Sequence, residues 1–354
     1  MCRLRFVHQS SVHQSLIHQH INKLAYQHIN IMIEYQRQIE QALKNKKYGS
    51  NPKELYEPIE YIMSLGGKRL RPVLVFVGCD FFGGDHVKAL YPALAIELFH
   101  NFSLVHDDIM DKAPLRRNQS TVHKKWNENV AILSGDAMLV KAYQELCKCD
   151  RAILPQLLEI FSDTAIKVCE GQQLDMNYEK LHMVSIPEYL KMIELKTAVL
   201  LGGSLKIGAL IGGADEKNAQ NLYDFGKHIG LAFQLQDDIL DVYADAEKFG
   251  KQKGGDIVAN KKTYLLLKAL EMAEGNRYMK EELHQWINAP HFDKEEKVEA
   301  ITRIYNFLNI RELAYSEMKK QYAIALTCLN DLPVDDTKKQ QLISFADSLM
   351  VREV

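Results

Sequence analysis

Two stretches of this sequence carry carboxylates at the same spacing. LVHDDIMD sets Asp107, Asp108 and Asp111 at i, i+1 and i+4, and FQLQDDILDVY repeats the arrangement with Asp237, Asp238 and Asp241. On a helix the first and last Asp of each set stand one turn apart on one face, roughly 5–6 Å from each other. At an effective dielectric near 20 two such charges repel by about 3 kcal/mol, whereas on a wet helix end the penalty shrinks to a few tenths. A solvated acidic helix end is therefore the ordinary explanation of one such cluster. Two clusters, both set among Leu, Ile, Val and Met, point instead to carboxylates aimed into a cavity and compensated there by cations. Carboxylate oxygens with room for water suit Mg²⁺, which uses one or two carboxylates and completes its shell with water and substrate phosphate.

If phosphate completes such a site, fixed positive charges must stand near it. GGKRLRP supplies Lys68, Arg69 and Arg71, and PLRRN supplies Arg116 and Arg117 just past the first acidic cluster. Arginine presents a planar fork to phosphate oxygens and lysine a compact point charge, while Gly66 and Gly67 can add backbone N–H donors. Basic loop residues are more often merely solvated, and a Gly pair is often only a turn. Their place beside buried acids is what sets these apart. His100 stands seven positions before Asp107, on nearly the same helix face, although a lone His in an apolar helix is more often a satisfied core residue. Gln234 lies one turn before Asp237 and Asp238, so its amide can face the same cavity.

The elements that must hold these groups read as helices. From Met32 onward the apolar residues recur at helical spacing, with no convincing alternating run. The expected fold is all-α, a single large bundle of helices around a central cavity. Gly, Pro and Asn cluster at 48–52, 81–85, 112–120, 248–256 and 288–294, and none of these breaks is long enough for a domain linker. The segments 86–111, 155–175, 187–213 and 216–244 are apolar on more than one face, as central helices surrounded by others must be. The longest apolar run, Ala198 to Ala214, is Gly-rich, contains Lys206 and is shorter than the roughly 20 residues of a membrane span. It reads as a closely packed core helix.

Bulk properties limit the partners. The 354 residues are 47% hydrophobic, and their net charge of −2 provides no overall field for nucleic acid or an anionic membrane. Six cysteines without a C-x-x-C pair, Cys147 and Cys149 among them, read as reduced thiols of a cytoplasmic protein. Residues 1–31 hold His8, His13, His18, His20 and His28 among Gln and Ser, with no acidic residue. They lack the continuous apolar core of a signal peptide. We expect a dispensable extension at 1–31 and a catalytic domain over 32–354.

In order along the chain, GGKRLRP, ELFHNFSLVHDDIMDKAPLRR, GDAML, GQQLD, ELKTA, FQLQDDILD and GKQKGGD resemble the motifs of the trans-isoprenyl diphosphate synthases, or polyprenyl synthetases. The likeness runs from about residue 35 to the C-terminus. It implies a Mg²⁺-dependent prenyltransferase with an isoprenoid synthase-like fold that joins an allylic diphosphate to isopentenyl diphosphate. By this resemblance Asp107, Asp108 and Asp111 form the first metal motif, and Asp237, Asp238 and Asp241 the second. Gly67, Lys68, Arg71, His100 and Arg117 match the isopentenyl diphosphate site, and Arg116 a contact to the allylic diphosphate. Lys196, Thr197, Gln234, Lys251 and Lys262 match residues around the allylic diphosphate and the nascent cation. A homodimer is implied as well. Asn118 and Gln119 replace a Gly often found after the paired Arg, so the sequence departs from the pattern at this local turn.

The growing hydrocarbon should descend along the first acidic helix, about 1.5 Å per residue. Ser103 lies one turn below Asp107 and is small, with Phe102 beside it and Phe99 about a turn deeper. Ordinary core packing explains these aromatics equally well. An aromatic five positions before the first motif, with no insertion inside it, resembles archaeal geranylgeranyl diphosphate synthases more than farnesyl synthases. The expected product has twenty carbons, with fifteen as the alternative. A class I terpene cyclase shares the first acidic motif, but its second is of different composition and it has no need of GGKRLR. A non-catalytic synthase subunit tends to lose one acidic motif, and both are intact here.

Overall fold

The computed structural model describes residues 30–244 and 254–350. Nearly all of the expected extension 1–31, and Lys251, lie outside the described residues. The main helices are α1 (30–45), α2 (Lys53–Ser64), α3 (Leu70–Phe81), α4 (Leu90–Met110), α5 (Glu128–Leu146) and α6 (Leu154–Lys180). They continue as α7 (Ile186–Ile193), α8 (Val199–Ile211), α9 (Glu216–Tyr243), α10 (Tyr264–Ala273), α11 (Arg277–Asn288), α12 (Lys294–Phe307), α13 (Ile310–Asn330) and α14 (Asp336–Met350). The all-α expectation is met, and no helix among the described residues is long and apolar enough to cross a membrane.

Local chemistry starts several of these helices. Asp215 accepts from the Asn218 N–H at the head of α9, and Asn127 from that of Val130 at the head of α5. Ser185 and Glu188 form a reciprocal capping box on α7. Burial then selects the centre. Helix α8, all but Lys206 and Ile211 of it buried, packs against α3, α9 and α6. Helix α4 packs against α3 and α5, and α9 against α8 and α13.

Two departures from the sequence reading matter for the site. The segment 187–213 is not one regular helix, because α7 joins α8 through a π-helical turn, Glu194–Ala198, made of the residues ELKTA. The break at 112–120 is a small hairpin, with Leu115 paired to Ser120 and Arg116 to Gln119. Its two central residues, Arg117 and Asn118, both have positive φ, 53° and 60°, the geometry of a tight hairpin turn. Asn tolerates this region better than most residues, so the missing Gly is partly compensated at Asn118.

The Gly-rich run does what its composition suggested. A Cβ on Gly208 would lie 2.2 Å from the Val75 carbonyl oxygen, and one on Gly78 2.5 Å from that of Leu205. Helices α3 and α8 therefore cross backbone to backbone, leaving no room for a side chain. Gly208→Val should cost about 3 kcal/mol or more through forced separation of the two helices, measured by denaturant unfolding; a loss under about 1 kcal/mol would contradict this contact.

Candidate active site

The last turn of α4 carries the first acidic motif, and its three aspartates have different surroundings. Asp108 is 1% exposed and gripped by Arg116, whose Nε lies 2.9 Å from both carboxylate oxygens and whose Nη2 lies 2.7 Å from Oδ1. Asp107 lines a cavity. Its Oδ1 is buried and accepts no hydrogen bond, with Lys196 Nζ at 3.2 Å outside bonding geometry. Asp111 caps the helix, and its carboxyl is pushed up to about 6 by burial and by the charge of Asp107, against the pull of Lys196.

The second motif, near the end of α9, repeats this division. Asp238 is 4% exposed and accepts from the Tyr189 hydroxyl, from Gln234 Nε2 at 3.3 Å and from the Tyr264 N–H at 3.4 Å. Burial, with Asp256 nearby, raises it to about 7. Asp237 and Asp241 are half-buried, and Asp241 Oδ2 accepts from the Asp256 N–H at 2.9 Å. In each motif the middle aspartate is tied into the wall. Asp108 and Asp238, expected as metal ligands, are thus already spoken for by Arg116 and by Tyr189 with Gln234.

Two lysines stand among these acids. Lys196, on the π turn, reaches Asp175 Oδ2 of α6 at 2.5 Å as well as Asp107. Burial opposes its charge, but Asp107 and Asp175 outweigh burial and raise it. Its approach depends on Gly171, where a Cβ would come within 2.2 Å of the Lys196 backbone nitrogen. Lys261 is likewise raised against the effect of burial, by Asp256, Asp175, Asp238 and Asp111. It feels carboxylates of both motifs at once. Lys262, the residue expected in this place, is lowered by burial; its neighbour Lys261 shares the lining of a small hollow with Asp256. Thr197 Oγ1 donates to Gln234 Oε1 at 3.5 Å, bringing two more expected residues together.

The basic side of the site separates into two roles. Arg71 and His100 both border the cavity, with Arg71 Nη1 3.2 Å from His100 Nε2. Burial first, then Arg71, Arg117 and Arg116, hold His100 well below the usual range, so the ring is neutral and accepts from Arg71. Burial also draws Arg71 down to about 10. Arg69 turns into the core instead, ion-paired with Glu97 and donating to the Met63 carbonyl at 2.7 Å. Arg117 donates to the Gly66 carbonyl, and its guanidinium packs over Gly67, whose φ is 132°. Lys68 is exposed on the same loop.

The cavity itself, of about 320 Å³, lies between α4, α6 and the π turn. Two other hollows are larger, about 590 Å³ beside α12 and about 620 Å³ between α1 and α2, yet neither is bordered by an acidic motif. Phe102 and Ser103 line the cavity opposite Gln172 and Cys169, and Ser103 Oγ donates to the His100 carbonyl at 2.8 Å. Phe99 is not in the lining. It is buried behind Phe102, ring centres 5.6 Å apart, and rests on Phe161 at 5.5 Å.

The polyprenyl synthetase family pattern matches residues 52–305. This chain belongs to that family. It is 37% identical over 306 residues to the geranylgeranyl diphosphate synthase of Methanosarcina mazei, covering 86% of this chain and 91% of the relative. It is 34% identical to the short chain isoprenyl diphosphate synthase of Methanothermobacter thermautotrophicus, covering 92% and 98%. A crystal structure of geranylgeranyl pyrophosphate synthase superposes with a TM-score of 0.86 at 43% identity, covering 91% of this chain and 99% of that one.

Sequence reasoning about this polyprenyl synthetase missed Asp175, Tyr189 and Lys261. Asp175 stood inside the quoted GQQLD, but a single acid on a long helix gives no signal until Gly171, one turn earlier, is read as a point of close approach. Among the described residues no three His, Cys, Asp or Glu side chains converge closely enough to hold an ion unaided. The Asp107 Oδ1, buried and accepting no hydrogen bond, is a hard donor of the kind that divalent cations take.

The raised Asp111 has a measurable consequence. Its folded value near 6 exceeds the unfolded value near 4, so its proton favours the folded chain below about pH 4, and that benefit is lost as pH rises through 6. Without metal, Asp111→Asn should melt progressively higher than the parent as pH rises from about 4 to 7. A melting difference that stays flat across this interval would refute the assignment.

Proposed function

We propose that this polyprenyl synthetase condenses isopentenyl diphosphate with an allylic diphosphate, Mg²⁺-dependently, to geranylgeranyl diphosphate. The observation that carries this reading is the π turn set between the two acidic motifs, with Lys196 Nζ 3.2 Å from Asp107 and Thr197 bonded to Gln234, itself bonded to Asp238, next to a cavity bordered by Asp107 at one side and Arg71–His100 at another. Asp107, Asp111, Asp237 and Asp241 are the residues that would hold the cation. When bound, Mg²⁺ supplies positive charge that makes diphosphate a tolerable leaving group in an apolar cavity.

The remaining steps fall to the chain's own groups. Lys196 and Lys261 stay protonated because acids surround them, and both are within reach of diphosphate oxygens placed between the motifs. Arg71, Arg117, Lys68 and the loop at Gly67 receive the second diphosphate, that of the isopentenyl substrate. The oxygens of Thr197 and Gln234 face the carbon that becomes cationic and stabilise it by their dipoles. The wall of Phe102, Leu200 and Val168 excludes water that would quench the cation. With His100 Nε2 engaged by Arg71, we assign the final proton to the departed diphosphate.

A twenty-carbon product agrees with small Ser103 and with the names of the relatives. A fifteen-carbon product is the second reading, favoured by Phe102 standing in the cavity wall with Phe99 and Phe161 behind it. We also propose a cytoplasmic homodimer. Its support is the apolar face of α5, where Ile132, Leu133 and Val140 are 43%, 61% and 58% exposed, with Ile166 of α6 at 57%.

The purified chain, given isopentenyl diphosphate, an allylic diphosphate and Mg²⁺, should release chiefly a linear twenty-carbon diphosphate, identified by chromatography. A cyclic hydrocarbon would favour the cyclase, and no turnover by the chain alone would favour a non-catalytic subunit. Asp107→Asn and Asp237→Asn should each lower kcat by about 10²–10³-fold. Ser103→Phe should shift the product toward fifteen carbons or fewer, and an unaltered product spectrum would reject the placement of the elongation cavity.

A further inference from the structure

Tyr189 does not border the cavity, yet its hydroxyl is bonded to the buried aspartate of the second acidic motif. The residue is 2% exposed, with its ring in a cluster that includes Met192, Ile193, Leu235 and Ile239. Its hydroxyl donates to Asp238 Oδ2. The other oxygen of Asp238 accepts from Gln234 Nε2 at 3.3 Å, and Gln234 Oε1 accepts from Thr197 Oγ1 at 3.5 Å. Tyr189 and Thr197 lie on one continuous helical segment, α7 with its π turn, while Gln234 and Asp238 lie one turn apart on α9. These four side chains therefore close a loop between two elements.

The loop encloses an unusual piece of backbone. A π turn holds its shape by context, because its hydrogen bonds are less favourable than those of a regular helix, and such turns concentrate at functional sites. Here it presents Lys196 and Thr197. On its α6 side it is seated against Gly171. On its α9 side Ala198 lies against Gly230, and the hydrogen-bonded chain that begins at Tyr189 adds a polar tie. The corresponding residue of the first motif, Asp108, is held by a charged arginine; in the second motif a neutral phenol does this and brings no compensating charge of its own.

We propose that Tyr189 is a positioning residue for prenyl transfer, fixing Asp238 and Gln234 and through them the wide turn that aims Lys196 and Thr197 at the allylic diphosphate. This rests on the reading given under Proposed function. The ring contributes packing and the hydroxyl contributes placement, and the two are separable by experiment.

Tyr189→Phe keeps the ring and removes the bond. It should lower kcat by about 10–100-fold, the range typical of groups that orient a metal or catalytic shell. The KM for isopentenyl diphosphate, bound on the Arg71–His100 side, should stay within about twofold, a split that a merely structural loss would not produce. The magnesium concentration giving half-maximal binding of a non-ionisable allylic thiodiphosphate, read by calorimetry, should rise. In combination with Asp238→Ala the effect should vanish, the double variant being no slower than Asp238→Ala alone.

Asp238→Asn, whose amide oxygen can still accept from Tyr189, should be at least about tenfold faster than Asp238→Ala. This comparison holds even if Tyr189→Phe fails to fold. Parental kcat in Tyr189→Phe, multiplicative losses in the double variant, or equal losses in the Asn and Ala variants would each overturn the proposal. A parent chain that transfers no prenyl group would instead overturn the reading beneath it.

Discussion

Negative charge held in an apolar helical bundle is the constraint on which the rest of this molecule depends. Six aspartates in two motifs, joined by Asp175 and Asp256, occupy a region whose burial alone pushes carboxyls toward neutrality, as Asp111 and Asp238 show. What keeps the region ionised is a small set of cations in fixed places. Arg116 is committed to Asp108, Lys196 bridges Asp107 and Asp175, and Lys261 stands within the field of four acids. The arrangement is only partly neutralised, which is what gives it an appetite for further positive charge.

Holding such groups in place requires close contact between helices. The α3–α8 crossing at Gly78 and Gly208 sets the centre of the bundle, and Gly171 lets the π turn come against α6. The acidic motifs then divide the work internally. Their middle members, Asp108 and Asp238, are buried and bonded to the scaffold, so the flanking members keep a defined direction. A helix bearing i, i+1 and i+4 acids can do both, since the middle residue points about 100° away from the first.

Much of this was legible in the sequence. Helical periodicity with no alternating runs is enough for the all-α class, and repetition of the acidic spacing inside apolar helices is enough to locate the site. The Gly-rich run after Ala198 was readable as close packing for the same reason, since glycine excludes little volume. What escaped reading depends on the third dimension. Nothing in NKKT says which lysine turns toward the acids; that is set by the positive φ of Asn260 and by Thr263 capping α10. The role of Asp175 requires knowing that α6 faces the π turn, and the π turn itself is one residue of slippage that periodicity over ELKTA does not register. Arg69 looked like its neighbours Lys68 and Arg71, but Glu97 on another helix claims it.

The wall beneath the acids is layered, with Phe102 against the cavity, Phe99 behind it and Phe161 behind that. Under the elongation reading, this makes change in product size asymmetric. A single bulky replacement at the lining suffices to truncate the hydrocarbon, whereas trimming Phe102 only uncovers the next ring. Lineages that diversify from such a scaffold can step down in one substitution, but must step up through at least two coordinated ones.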